Sequence, residues 1–520
     1  METASVTPAA RKGFFRRLLS WRGALFLLAA FITLAALLLA EENWRGARAW
    51  QNYKREMEAK GDRFDAARLI PPKVPDDQNF AMTPYFAPVF DLSPEVLRQP
   101  LKLVTNMVNG KEEVELMEIK RGTNIASHLP EPANPPHRVG WHFGSAADLI
   151  GWAVAFQGTN STAPRPEITD PVQAASIVVA NMKPYEPTLG ELQSASERPY
   201  CRFNIPYEEW NNPQVTSALM EHLAMMKGLC QLLSLHAEAE MVSGRSDQAL
   251  KDINVMFRLD DGLKGEALVI SQLVRFACTS IMLQSVGEGL VEHRWSDAQL
   301  RDLQERLQKT DLIASMVQAL YGERDICNNQ TYDHGNPYGW NTLPRGWARL
   351  EQLNINRAFH DMVLPRIDVA AREINPSANH AIDLAVKKFS DEIGFRFAFI
   401  QHSIFAKLLL PAFSRVPQKT AFAQSEVDLA MLACALERYR LAQGRYPEDL
   451  NALVPRFVSV LPHDIINGQP LKYRLTANGS FILYSIGWNE KDDGGVIATN
   501  KENRQDILQG DWVWQYPEGN

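Results

Sequence analysis

Residues 23–40 carry no charged side chain, and they lie between a basic segment (Arg11, Lys12, Arg16, Arg17, Arg22) and the acidic pair Glu41-Glu42. A helix across the hydrocarbon of a bilayer takes ~20 apolar residues, so this run predicts a transmembrane helix at the lower end of that length. Trp21 and Trp44 bracket the run, as interfacial anchors do. The excess of Arg and Lys on the N-terminal flank keeps that flank in the cytoplasm, which leaves the bulk of the chain on the periplasmic side of the inner membrane. The rival reading is a cleaved signal peptide, but the apolar run is long for one, and Leu38–Ala40 is a poor small-x-small cleavage site.

The remainder is long enough for two to four domains within a chain of 520 residues. It is 45% apolar and 22% charged, the balance of an ordinary globular protein. A formal charge of −7 gives no overall attraction for nucleic acid, and the only basic cluster is the one that membrane topology explains. The five cysteines (Cys201, Cys230, Cys278, Cys327, Cys434) are odd in number and never form a C-x-x-C pair. Cys230, Cys278 and Cys434 fall on apolar helical faces, as small hydrophobes do. A single disulfide in an oxidising compartment stays open, without an assignable pairing.

From Trp44 to about Asp65 the chain is charged and helix-prone, a stalk. Residues 66–210 are rich in proline and show no lasting period. A strand at Val114–Ile119 and a helix at Ala146–Ala155 are expected there, in a segment that wraps over a helical body. Helical signals strengthen at Asn212-Pro213, a cap residue followed by proline. One apolar stripe (Leu219, Leu223, Met226, Cys230, Leu233) ends at Gly244, and Ser246 is expected to cap the next helix, with Ala249, Leu250, Ile253 and Phe257 inward. A third helix follows Gly262, with Ile270, Val274, Ala277, Cys278 and Ile281 on its inner face. Ser296-Asp297-Ala298-Gln299 is a capping box opening a fourth, with Leu300, Leu303 and Leu307 inside. Helices of this length joined by short turns suggest a stack of α-hairpins without a clean repeat. More helix is expected at 347–373 and 379–410. The stretch Ile393–Phe413 is aromatic but broken by Arg396, His402 and Lys407, which reads as a buried or membrane-surface helix and not a second span.

The C-terminal part has the most specific pattern. A helix is expected from about Gln418 to Leu441, with Val427, Met431, Cys434 and Leu441 on one face, ended by Gly444 in a left-handed turn. Arg445-Tyr446-Pro447 leads to a short helix ending near Leu453. Then come Leu461-Pro462-His463-Asp464 and Asn467-Gly468, two strands (Leu471–Leu475 and Phe481–Ile486) turning at Asn478-Gly479, an acidic glycine-rich loop from Gly487 to Gly495, Gln505-Asp506-Ile507 and Trp512. Taken in order, these motifs resemble the globular end of the major pseudopilin of type II secretion systems (protein G), over about a fifth of the chain. In that family the long helix packs on a small antiparallel sheet and the last loop holds calcium. The family's N-terminal processing site does not fit: Phe399 follows Gly394-Phe395, and Leu18 follows Gly13-Phe14, where a glutamate belongs. The resemblance therefore implies a protein carrying a pseudopilin-like domain, and not a subunit processed for fibre assembly.

Asn489, Asp492, Asp493 and Asp506 supply oxygens enough for a calcium site once backbone carbonyls near Ser485 and Gly487 are added, and the resemblance implies calcium there, with Asp492 or Asp493 and Asp506 at the family's carboxylate positions. Asn489 stands where the family often has aspartate. The bland alternative is a solvated turn rich in Asp and Gly. No catalytic residue is assigned. Glu323-Arg324-Asp325 with Asn328, Asn329, Asp333 and His334 has the residue types for acid–base work, but a capped helix end explains them as well. His137 and His142 lack a third metal ligand. No G-x-S-x-G, H-E-x-x-H or P-loop motif is present.

The expected architecture is mainly α: residues 1–45 form a cytoplasmic tail and signal anchor, 46–210 a stalk and Pro-rich mixed segment, 211–415 an α-hairpin repeat-like body, and 416–520 a small α+β pseudopilin-like domain. The expected function is that of a membrane-anchored, non-enzymatic scaffold with envelope protein partners, associated with secretion or pilus-like machinery. The alternative is a membrane-anchored periplasmic hydrolase with its site in 66–210 or near Glu323–His334.

Overall fold

In the computed structural model, residues 21–90, 102–108, 111–117, 147–157, 167–205, 221–328, 344–392, 401–501 and 505–515 are described. The chain is mostly helical. Helix α1 (Trp21–Ala59) runs without a break from the apolar segment through the charged stalk. At 1.5 Å per residue its 39 residues extend about 58 Å. It is long and apolar enough to cross a membrane, and none of its most apolar window is buried. Its buried residues, Gly46, Trp50, Tyr53 and Met57, begin beyond that window and recur at helical spacing.

Strands β1 (Lys102–Val108) and β2 (Lys111–Met117) form an antiparallel hairpin in which Lys102 faces Met117. Helix α2 (Leu149–Phe156) is capped by Asp148, and α3 (Pro171–Met182) by Asp170 with proline at its first position. Next come α4 (Glu186–Ala195), α5 (Glu221–Val242), α6 (Ser246–Lys264), α7 (Val269–Val291), α8 (Asp297–Lys309) and α9 (Leu312–Asn328). They are followed by α10 (Arg345–Ala358), α11 (Pro376–Glu392), α12 (Ile404–Phe413) and α13 (Val416–Gln443). The end of the chain contributes β3 (Lys472–Leu475), β4 (Phe481–Ser485) and β7 (Trp512–Gln515) to one antiparallel sheet, ordered β3-β4-β7. Strands β5 (Ile497–Thr499) and β6 (Gln505–Gly510) form a second, two-stranded one.

The chain divides into two compact units. One contains Met1–Phe64, Cys327–Phe359 and Phe389–Leu409. Within it α1 crosses α10 at a pair of glycines, where a Cβ on Gly46 or Gly346 would overlap backbone of the other helix. The Gly346 N–H donates to Asn43 Oδ1 at 2.6 Å. Trp50, Tyr53, Met57 and Leu353 form the cluster below that crossing, joined by Phe64 and Leu350.

The other unit contains Asp65–Ile326, His360–Lys388 and Leu410–Asn520. Helices α5, α6 and α7 pack on one another, and of the proline-rich segment α3 lies against α5 and α4 against α6. Helix α13 packs on α7 and α8 as well as on β4 and β7, and most of its length is buried all round. Gly444 ends it with φ +77°.

Four local expectations need correction. Arg245, not Ser246, occupies the cap position of α6, and no side chain caps it. Leu441 is 46% exposed, beyond the buried part of α13, which ends at Glu437. The helix expected over 347–373 ends at Ala358 and passes through a π turn (Phe359–Val363) and a 3-10 turn (Leu364–Arg366). On α7 the face with Ile270 and Val274 is the more open one, while Ser271, Gln272, Arg275 and Thr279 are buried. Partners on other helices explain that inversion. Arg275 makes a two-pronged pair with Asp260 (2.8 and 2.7 Å) and donates to Ser315 Oγ at 2.8 Å. Gln272 donates to the carbonyls of Leu263, in the last turn of α6, and Glu266, just beyond it. With 61% of its apolar window buried, α7 is a core helix.

The capping box of Ser296 and Gln299 and the buried Leu300, Leu303 and Leu307 are as expected. So is the hairpin at Asn478-Gly479, with Gly479 at φ +83°.

Candidate functional site

A concave feature of the C-terminal region lies beside the turn at Asp464. The Asp464 backbone N–H donates to Gln469 O, and Gly468 N–H donates back to its carbonyl, closing a tight turn in which Gly468 takes φ +68°. The Asp464 carboxylate is buried and accepts from Ile466 N (3.1 Å), Ile486 N (3.0 Å) and Ser485 Oγ (2.8 Å), which ties the turn to the end of β4. Burial dominates its titration and raises its pKa, even though each of those donors favours the charged form.

Between this turn, the 3-10 turn Leu450–Leu453 and strand β3 lies an open cleft of about 750 Å³. Asp449, His463, Lys472, Tyr473, Glu490 and Asp492 supply its polar lining, with Leu471 and Ile486 among the apolar residues. Among the described residues strand β3 pairs only with β4, and its residues Lys472 and Tyr473 line the cleft. Tyr473 is fixed by donating its hydroxyl to Pro447 O at 2.8 Å. Asp449 and Glu490 are exposed, whereas the ammonium of Lys472 sits 3.2 Å from Asp492.

The acidic loop borders this cleft. Asp492 Oδ1 accepts from the Tyr484 hydroxyl (3.0 Å) and from Gly494 N (3.1 Å). Tyr484, the Gly494 N–H and Lys472 together hold the Asp492 carboxyl below its usual range. Burial first, and then Asp492, pushes the Tyr484 phenol up to about 12. Asn489 Nδ2 donates to Asp493 Oδ2 at 2.8 Å, and Asn489 Oδ1 accepts from Lys491 N. Asp506 lies on β6, half-buried, and accepts from Leu508 N at 3.0 Å.

Of the four residues expected to hold calcium, three therefore share the loop, and Asp506 makes its hydrogen bond within its own strand. Among the described residues no three His, Cys, Asp or Glu side chains are grouped to hold a metal, which leaves a calcium shell that draws on Asn489 and backbone carbonyls untouched. The loop is closed by a residue that sequence reasoning passed over. Asp511 is fully buried and accepts from Asp493 N (3.3 Å), Gly495 N (2.6 Å) and Val496 N (3.3 Å). The signal for it was its place beside Trp512, where an aspartate entering a buried strand needs N–H partners. Gly494 and Gly495, at φ +76° and +81°, let the N–H groups on either side of Gly494 converge on that carboxylate while its own goes to Asp492.

The second candidate patch is built for packing. Glu323 accepts from Val269 N at 3.1 Å, and burial raises its pKa. Arg324 and Asp325 are both buried and paired at 2.8 Å, with the Arg324 guanidinium 5.0 Å from the Tyr321 ring. Asn328 exchanges amide hydrogen bonds with Asn356. Asn329, Asp333, His334, His137 and His142 lie outside the described residues. A further buried pair had no sequence signal: His236 Nδ1 lies 2.7 Å from Asp252 Oδ2, and Gln193 donates to Asp252 Oδ1 at 2.6 Å. These contacts fasten α4, α5 and α6.

Comparison with protein-family models, curated proteins and solved structures gives no match to this chain.

Proposed function

We propose that the protein is a single-pass envelope protein, held in the inner membrane by residues 23–40 with the bulk of the chain on the periplasmic side. It works as a non-enzymatic scaffold whose C-terminal region docks an extended, cationic segment of an envelope partner belonging to a secretion or pilus-like assembly. The basic flank before the apolar part of α1 supports the orientation. The resemblance of residues 416–520 to the type II secretion pseudopilin supports the kind of assembly.

The observation that carries the reading is the cleft along β3. An edge strand offers unpaired N–H and C=O groups to a segment laid alongside it, and flanking pockets select its side chains. Exposed Asp449 and Glu490 favour positive charge, and Lys472 does not oppose it because Asp492 neutralises it. The hydrolase reading has less support, since Glu323 uses its carboxylate to hold the first turn of α7.

The test is binding of the full chain in detergent to a labelled, capped Val-Lys-Val-Lys-Val-Lys peptide, followed by anisotropy. Binding that fails with the Val-Glu counterpart and falls at least about tenfold in the Asp449→Asn/Glu490→Lys variant is expected; tenfold corresponds to ~1.4 kcal/mol. Equal binding of both peptides, or none, removes this reading.

Calcium at the acidic loop belongs to the same proposal. When bound it supplies positive charge to a carboxylate-rich loop. To bind there it must win Asp492 from Lys472 and Asp493 from Asn489. Saturating calcium is then expected to raise the melting temperature over a chelator control, because the ligand stabilises only the folded state. The shift should vanish in Asp493→Asn, and no shift in the parent chain would withdraw the metal.

A further inference from the structure

The buried interface of α5 with α7 brings two cysteines together. Across it the hydroxyls of Ser234 and Ser285 meet at 2.8 Å, and Ser285 Oγ lies 3.3 Å from Glu238 Oε1 one turn further along α5. Side chains this short touch only where two helix backbones approach closely. The serine pair sets the register. Four residues back from Ser234 is Cys230, and seven back from Ser285 is Cys278, and both steps return to the same helix face. Cys230 is 0% exposed and Cys278 2%, and the Cys278 thiol is near enough to raise the pKa of Cys230 above its usual range.

We infer that Cys230 and Cys278 form a disulfide when the chain folds in contact with a small-molecule disulfide oxidant, which makes this pair a covalent modification site joining α5 to α7. In the first step one cysteine thiolate attacks the oxidant, for example oxidised glutathione, giving a mixed disulfide and releasing one reduced glutathione. The second thiolate then displaces the other glutathione. Two protein thiols lose two protons and two electrons, and the oxidant's S–S bond is reduced to two thiols. The exchange belongs to folding and not to the folded state. The nearby Cys278 thiol and burial hold the Cys230 thiol well above its usual range, and only a thiolate reacts.

The inference rests on the periplasmic reading only for where the oxidant is met, so refolding outside the cell tests the pair itself. Full-length chain refolded from denaturant into detergent with oxidised glutathione should, after alkylation and digestion, yield a peptide joining the segments around residues 230 and 278. The oxidised protein should melt several degrees above the reduced one. That gain should be absent from Cys230→Ala and Cys278→Ala and kept in Cys434→Ala. Alkylation of both thiols, or linkage of Cys230 to another cysteine, overturns the inference. A pair that links on refolding but is reduced in protein trapped directly from cells would instead count against the sidedness of the membrane reading.

Discussion

Asp428 illustrates how a single buried carboxyl ties stability to pH. It lies on α13, accepts from Gln424 Nε2 at 3.0 Å, and has Arg372 Nη2 at 3.4 Å from each oxygen. Burial outweighs the arginine and pushes its pKa up to about 6. An unfolded aspartate titrates near ~3.9, so the folded state binds this proton more tightly than the unfolded state does. The stabilisation is complete below about pH 4 and is lost as pH rises through 6. Relative to Asp428→Asn, the parent chain should lose on the order of 3 kcal/mol between pH 4 and 7, read from urea melts at a series of pH values. A stability difference that is flat with pH would refute the assignment. Asp252, Asp464 and Asp511, also raised by burial, act in the same sense on the whole protein. Residues of this kind are illegible in the sequence, because an aspartate reads as solvated until the packing around it is known. Asp511 is the plainest case: three N–H groups converge on it only after the loop from Gly487 to Gly495 has folded back.

Among the elements, the crossing of α1 and α10 depends on two glycines that no pattern in either helix singles out. Gly46 and Gly346 let backbone lie on backbone, and the Trp50–Tyr53–Leu353 cluster packs below them. Gly346→Leu should force the helices apart at a cost of about 2–3 kcal/mol, in the range that overpacking causes. Gly190→Ala in α4, where a Cβ meets nothing within 4 Å, should be neutral or stabilising. Limited proteolysis within 344–358 reads the difference, and equal protection of the two variants would show that the close crossing does not hold α10. Helix α7 teaches a related lesson. Its apolar residues suggested one inner face, yet the ion pair of Arg275 with Asp260 and the hydrogen bonds of Gln272 put the polar face inside. A buried charge is tolerated when its partner is buried with it, and that partner sits on another helix.

Across the whole molecule, what the sequence alone determined is local. The apolar run of α1, the capping box at Ser296, the left-handed stop at Gly444 and the hairpin turn at Asn478-Gly479 were all readable, because each rests on residues a few positions apart. The mainly helical body with a small C-terminal sheet followed from the same short-range periods. The tertiary structure alone decided how α13 is shared between the helical body and the sheet, which face of α7 is buried, and which cysteines meet. It also placed the cleft beside β3 and closed the acidic loop on Asp511. The physical reason is range. Caps, turns and helical stripes are satisfied by neighbours in the chain, whereas buried charges, paired thiols and clefts are satisfied by residues tens to hundreds of positions away, and their energies exist only once those surfaces have closed on one another.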